Sequence, residues 1–100
     1  MAEKIVVYWR DIPAQVIVKA GRKSAKRQLT ERFEQAIDRA AMRAKLTGTD
    51  AYLEQWRRGE PVPCGDDLEA EATAAAEALE SEFTAERLRE LVANGGNATA

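Results

Sequence analysis

Residues 5–18 of the chain read IVVYWRDIPAQVIV, and this stretch decides the fold. It holds two short apolar runs, at residues 5–7 and 16–18, that are rich in the β-branched residues favoured in strands. Between them lie Asp11, whose carboxylate can bond backbone amides in a turn, and Pro13, whose nitrogen cannot donate to a strand ladder. The stretch therefore predicts an antiparallel hairpin, with strands at residues 4–10 and 15–20 and a turn at residues 11–14.

Helices are predicted after the hairpin, because apolar residues recur at helical spacing and capping residues stand at the starts of the segments. The first follows the N-cap Thr30 and ends at residues 47–49, the second covers residues 51–58 between Asp50 and Gly59, and two more cover residues 68–82 and 85–93. A lone hairpin is marginal in water, so these helices must cover it. The predicted fold is α+β, an N-terminal antiparallel β-hairpin packed by three to four α-helices. It forms one domain over residues 1–93, with a frayed tail at residues 94–100.

The charges are unevenly distributed along the chain. The net charge is −2, yet residues 1–58 hold 13 Lys/Arg and 7 Asp/Glu, whereas residues 59–100 hold 2 and 10. The two halves either pack together and complement one another, or the basic half binds an acidic partner. The densest cationic cluster comprises Arg22, Lys23, Lys26 and Arg27. It indicates either a solvated loop and first helical turn, or a contact for an acidic protein or for phosphates.

The composition argues against an enzyme. The 100 residues include no histidine and one cysteine, so the commonest general base and a thiolate metal site are both missing. No phosphate-binding glycine loop, dinucleotide fingerprint or nucleophile elbow is present. We expect no catalytic residues, no metal and no cofactor. Cys64 is interpreted either as an incidental or half-buried cysteine or as a reactive thiol. Asp66 and Asp67 should raise the pKa of this thiol, whereas the helix start that follows should lower it.

Other features bear on location. No apolar run approaches the ~18 residues that cross a bilayer, and the first residues lack the pattern of a signal peptide. A single cysteine cannot form an internal disulfide. These observations predict a cytoplasmic protein that does not bind membranes.

Three strings of the sequence point to a family. They are YWRDIPAQV at residues 8–16, ERFEQAIDRAAMR at residues 31–43 and DAYLEQWR at residues 50–57. Together they resemble the bacterial virulence factor domain family, whose module also occurs in conserved virulence factor C, and the resemblance covers residues 4–90. It implies an association with virulence regulation and an adaptor architecture, because larger relatives join this module to a NifU-like scaffold domain and helical repeats. It defines no catalytic residues.

The leading hypothesis is a non-enzymatic protein-interaction module, acting as an accessory or adaptor protein. Its candidate surface combines the hairpin turn, Trp9, Arg10 and Asp11, with the cluster Arg22, Lys23, Lys26 and Arg27. Trp9 is either a core residue or an exposed anchor, because Trp and Arg are enriched at interface hot spots.

Three alternatives stay open at this point. The cluster at residues 22–27 could serve a nucleic-acid-binding regulator, whose affinity would fall steeply with salt. The resemblance also suggests a small accessory subunit of a folate- or corrinoid-linked one-carbon enzyme complex. Finally, two hairpins could pair across a homodimer.

Overall fold

A computed structural model describes residues 2–46 and 50–98, which form one sheet with helices packed against it. The strands are β1 (Ala2–Trp9), β2 (Ile12–Ala20), β3 (Lys23–Gln28), β4 (Trp56–Arg58) and β5 (Val62–Cys64), and the helices are α1 (Glu31–Arg43), α2 (Asp50–Glu54), α3 (Leu68–Glu82) and α4 (Ala85–Ala93). The strand order is β3-β2-β1-β4, and β5 also pairs with β1. Every pairing is antiparallel, which confirms the predicted α+β class.

The predicted hairpin lies at the centre of this sheet. Val6 faces Val16 and Ile5 faces Ile17 across the β1–β2 ladder. The turn is tighter than predicted, because β2 begins at Ile12 and only two residues separate the strands. Pro13 is accommodated inside β2 because the ladder to β3 starts only at Gln15, so the missing N–H falls where β2 has no partner on that side.

Each strand of the hairpin has a neighbouring strand on both sides over most of its length. β1 lies between β2 and the short strands β4 and β5, and β2 lies between β1 and β3. The homodimer made by pairing two hairpins stays a prediction. The outer positions of the sheet belong to β3, β4 and β5.

The cationic cluster at residues 22–27 is not a loop and first helical turn, as one interpretation held. Residues 23–28 form the edge strand β3, because β2 needs a partner for its second row of backbone groups. Ala25 is its one buried side chain, and Lys23 and Lys26 are exposed. Lysines on an edge strand discourage pairing with other chains, so this cluster has a structural explanation.

The predicted helix over residues 51–58 is only partly correct. Helix α2 stops at Glu54, and Trp56–Arg58 form β4, which pairs with β1 from Trp9 back to Val7. A single helical turn gains little on its own, whereas the strand satisfies the free edge of β1. Gly59 does not cap a helix but donates its N–H to the Val6 carbonyl oxygen at 2.8 Å.

The remaining elements agree with the sequence in part. Helices α3 and α4 have the predicted bounds, and Asp67 and Thr84 accept backbone bonds at their N-caps. Thr30 is the N-cap of α1, but its hydroxyl makes no capping bond. The predicted stop of this helix at residues 47–49 lies outside the described residues, and α1 ends earlier, at Arg43. Residues 60–65, between β4 and α3, contain the short strand β5.

One core joins the sheet to helices α1, α3 and α4. Its largest fully buried side chains include Trp9, Phe33 and Ile12. The apolar residues at helical spacing in α1 and just before it are buried, at Leu29, Phe33, Ile37, Ala40 and Ala41. Helix α3 packs on β2 and β3, and the pairs Arg27–Glu69 and Arg32–Glu80 link the basic and acidic halves of the chain.

Candidate functional site

The hairpin turn was the first predicted surface, and its tryptophan belongs to the core. Trp9 is 0 % exposed. Its indole Nε1 donates to the Tyr52 carbonyl oxygen at 3.0 Å, and its ring lies 5.6 Å from the Tyr52 ring. Gly96 covers the same ring from the C-terminal segment. The interpretation of Trp9 as an exposed interface anchor is therefore wrong.

The other two turn residues are engaged within the chain. Arg10, at φ +54°, donates from Nε to Gln55 Oε1 at 3.1 Å and from Nη1 to the Gly95 carbonyl oxygen at 2.9 Å. Asp11 forms an ion pair with Arg57 at 3.0 Å, and its second oxygen accepts from the Ala98 N–H at 2.6 Å. The turn thus joins β4 and the C-terminal segment to the sheet. The first part of the predicted tail contacts this turn through Gly95, Gly96 and Ala98.

The cationic cluster does not form one patch. Neighbouring side chains of a strand point to opposite faces, so Lys26 and Arg27 diverge. Arg27 turns toward α3, where its Nε donates to Thr73 Oγ1 at 3.1 Å and Nη2 lies 3.8 Å from Glu69. Arg22 belongs to the turn before β3. The structure thus brings the turn residues together but places Lys26 on the opposite face of β3 from Lys23 and Arg27.

Two concave surfaces flank helix α1 instead. The first, the basic groove, lies between α1 and α4 and has a volume of about 280 Å³. It is lined by Arg32, Gln35, Ala36, Arg39, Ala85, Leu88, Arg89 and Val92. The α1 members of this set recur at helical spacing, so they share one edge of the helix. No acidic residue lines this groove within the described part of the chain.

The second surface, the acidic groove, lies where α1 approaches α2 and β4, and its volume is about 230 Å³. It is lined by Ala14, Gln28, Leu29, Glu34, Ile37, Asp38, Tyr52 and Trp56. Burial, together with the Asp38 and Glu34 carboxylates, raises the pKa of the Tyr52 hydroxyl. The tyrosine therefore stays protonated at neutral pH and is a neutral wall of the groove.

Sequence reasoning missed both grooves, although one signal was available. Arg32, Ala36 and Arg39 recur along one edge of α1, and Glu34 and Asp38 along another, on either side of the core stripe. The separation of positive from negative side chains on two edges of α1 can be deduced from the sequence. What the string could not show is that α4 and α2 lie beside those edges.

The remaining reactive group is the single thiol. Cys64 is half-buried in β5, opposite Ala2. Burial and then the Glu71 carboxylate raise the pKa of the thiol, so it is a weak nucleophile. The described residues also contain no His/Cys/Asp/Glu group that could hold a metal ion, and no helix within them is long and apolar enough to cross a membrane.

The fold defines a small α+β domain with two concave surfaces beside helix α1. A comparison with protein families matches residues 7–92 to the family described as virulence factor. The chain belongs to this family, which confirms the resemblance, and the family name indicates a virulence-related role. No curated protein and no solved structure matches the chain.

Proposed function

We propose that this domain is a non-enzymatic protein-interaction module, an accessory or adaptor protein of the cytoplasm in a virulence-related process. Its principal binding surface is the basic groove, and its partner is an acidic amphipathic helix. We prefer this groove to the hairpin turn as the binding surface, because Trp9 of the turn is buried and Arg10 is hydrogen-bonded within the chain.

The shape and chemistry of the basic groove support the proposal. Ala36, Ala85, Leu88 and Val92 form an apolar floor between two helices. Apolar residues of a partner helix, spaced three or four apart, can fill such a groove. The small side chains of the two alanines let the backbone of that helix approach closely.

The rim determines the charge of the partner. Arg39 and Arg89 are exposed, and neither forms an ion pair with a described residue. Arg32 differs, because it bonds Glu80 and the Phe83 carbonyl oxygen and so stiffens one wall. Two unpaired guanidinium groups beside an apolar floor favour carboxylates that flank an apolar stripe. This unpaired rim is the observation that carries the proposal.

A binding assay with designed peptides tests it. The probe is a fluorescent helical peptide with leucines at helical spacing flanked by glutamates, and its control replaces the glutamates with glutamines. We expect the Arg39→Glu/Arg89→Glu variant to bind the acidic peptide at least tenfold more weakly, on the order of 1.4 kcal/mol. The matched control, Lys19→Glu/Lys26→Glu on the sheet, changes the net charge equally and should bind as the parent does. Equal binding of both peptides, or equal loss in both variants, would overturn the proposal.

The nucleic-acid alternative is tested in the same format. A fluorescent single-stranded oligonucleotide replaces the peptide, and the salt concentration is varied. Phosphate contacts would give an affinity that falls steeply with salt and that the Lys23→Glu/Lys26→Glu variant abolishes. Such a result, together with no acidic-peptide binding, would replace the interaction module by a nucleic-acid-binding regulator.

A further inference from the structure

The acidic groove offers a second binding chemistry, separate from that of the basic groove. Tyr52 and Trp56 place their rings edge to face, 6.3 Å apart and at 89°. Trp56 is 38 % exposed, an unusual position for so large an apolar side chain. Glu34 and Asp38 stand one helical turn apart on the opposite wall, and no described residue forms an ion pair with either.

These groups are held in place. The Tyr52 backbone is fixed by the indole of buried Trp9, which donates to its carbonyl oxygen. Trp56 lies opposite Trp9 in the β1–β4 ladder. Ile37 lies between Glu34 and Asp38 in the sequence and is buried, so the helix that carries the two carboxylates is anchored to the core. The groove is thus a formed site, with two aromatic rings on one side and two negative charges on the other.

We infer that the acidic groove binds an arginine side chain from a basic segment of a partner protein. A guanidinium is planar, so it can stack on an aromatic ring while its edge donates two bonds to a carboxylate. The apolar floor of Ala14, Leu29 and Ile37 can receive the methylene stem of the same side chain. Cation and ring attract each other further because the ring face is negative.

The chain itself shows this chemistry at four other rings. Its own arginines stack on Trp9, Phe33, Tyr8 and Phe83, at 4.3–5.3 Å from the ring centres. Trp56 has no such partner within residues 2–46 and 50–98. A ring of the same kind, placed beside two unpaired carboxylates, therefore suits an arginine supplied from outside.

A matched pair of peptides tests the inference. The probe is a flexible fluorescent peptide of glycine and serine around two arginines, and the control carries citrulline, which keeps the shape but removes the charge. We expect the citrulline peptide to bind about tenfold more weakly, because it loses the charge-assisted bonds. The Glu34→Gln/Asp38→Asn variant should weaken the arginine peptide about tenfold, and Trp56→Ala about fivefold. The matched variant Glu77→Gln/Glu90→Gln, which removes two exposed carboxylates elsewhere, should change it by less than about twofold.

The indole signals locate the binding directly. In a ¹⁵N spectrum the Trp56 indole should shift on titration with the arginine peptide, whereas the buried Trp9 indole serves as an internal reference. Equal binding of both peptides, or displacement of the peptide by spermidine at equal concentration, would overturn the inference. So would self-association of the protein that the Glu34→Gln/Asp38→Asn variant abolishes, because the occupant would then be a second copy. Acidic-peptide binding by this variant should stay intact, so failure here is distinct from failure at the basic groove.

Discussion

The hairpin turn and the flanks of helix α1 both combine arginines, acidic residues and aromatic rings, but they differ in whether the charged groups are bonded within the chain. At the turn, Arg10 and Asp11 bond Gln55, Gly95, Arg57 and Ala98, so every charged group has a partner within the chain. Along α1, Arg39, Glu34 and Asp38 have no such partners within the described residues. The conspicuous residues of the turn therefore form a structural junction, whereas the two proposed binding surfaces are built largely from ordinary helical residues.

The largest expected effect separates the two tryptophans. Trp9→Ala should lower the free energy of unfolding by about 3–5 kcal/mol, because it empties a fully buried site and removes an indole hydrogen bond. Trp56→Ala should cost less than about 1.5 kcal/mol, since that ring is partly exposed. Urea denaturation of both variants, followed by circular dichroism, gives the comparison. Equal losses would mean that the aromatic wall of the acidic groove is as structural as the turn.

Two glycines give the next largest difference. Gly96 has φ +98°, and an added Cβ would lie 2.8 Å from Cζ3 of Trp9. Gly96→Ala should therefore cost about 2–3 kcal/mol. Gly21 has φ +61° but nothing within 4 Å, so Gly21→Ala should cost only about 1 kcal/mol. Thermal unfolding of both variants measures the two losses of stability. Equal losses would mean that the contact between Gly96 and Trp9 adds little to the stability of the fold.

A smaller effect depends on pH and concerns the wall of the basic groove. Burial alone would raise the pKa of Glu80, but hydrogen bonds from Thr30 and Arg32 outweigh it and hold the pKa of this carboxyl below its ordinary value. A lowered pKa stabilises the fold above the unfolded value of about 4.5, and this contribution is lost as the pH falls through the folded value. Glu80→Gln should therefore cost about 1 kcal/mol at pH 7, and the difference from the parent should shrink below about pH 4.5.

Urea titrations from pH 7 to pH 3 measure that difference. Glu77→Gln, on the same helix but without a described contact, is the matched control and should follow the parent within about 0.5 kcal/mol. A pH-independent loss in Glu80→Gln would show that packing, and not the carboxylate, links α3 to the start of α1.

The sequence alone predicted the local features well. Period and capping located α3 and α4, and the β-branched runs located the hairpin. It failed where a distant partner decided the outcome. Trp56–Arg58 has a helical pattern, but this segment is a strand because its backbone pairs with the free edge of β1. Most of the cluster at residues 22–27 is a strand for the same reason, because it pairs with the free edge of β2.

The candidate site was harder to predict than the fold. Trp9, Arg10 and Asp11 stood out in the sequence because a large aromatic and two charged side chains meet at a turn. Their contacts within the chain show that these side chains stabilise the fold. The grooves depend on which helices become neighbours, and a string of residues does not state this. The sequence does separate positive from negative side chains along α1. A charged helix face is usually just exposed to solvent, so this pattern did not indicate a site.

The smallest change in stability is expected for the Arg39→Ala/Arg89→Ala variant, and its contrast with Arg10→Ala tests the comparison most sharply. Arg10→Ala removes two hydrogen bonds, to Gln55 and Gly95, and should cost about 1–1.5 kcal/mol. Arg39→Ala/Arg89→Ala should change the free energy of unfolding by less than about 0.5 kcal/mol, because neither side chain has an acidic partner in the described residues. Urea denaturation and acidic-peptide binding should be measured on the same samples. We expect Arg10→Ala to lose stability and keep binding, and the double variant to keep stability and lose binding. A double variant as unstable as Arg10→Ala would place these arginines among the structural residues and remove the distinction between the turn and the groove.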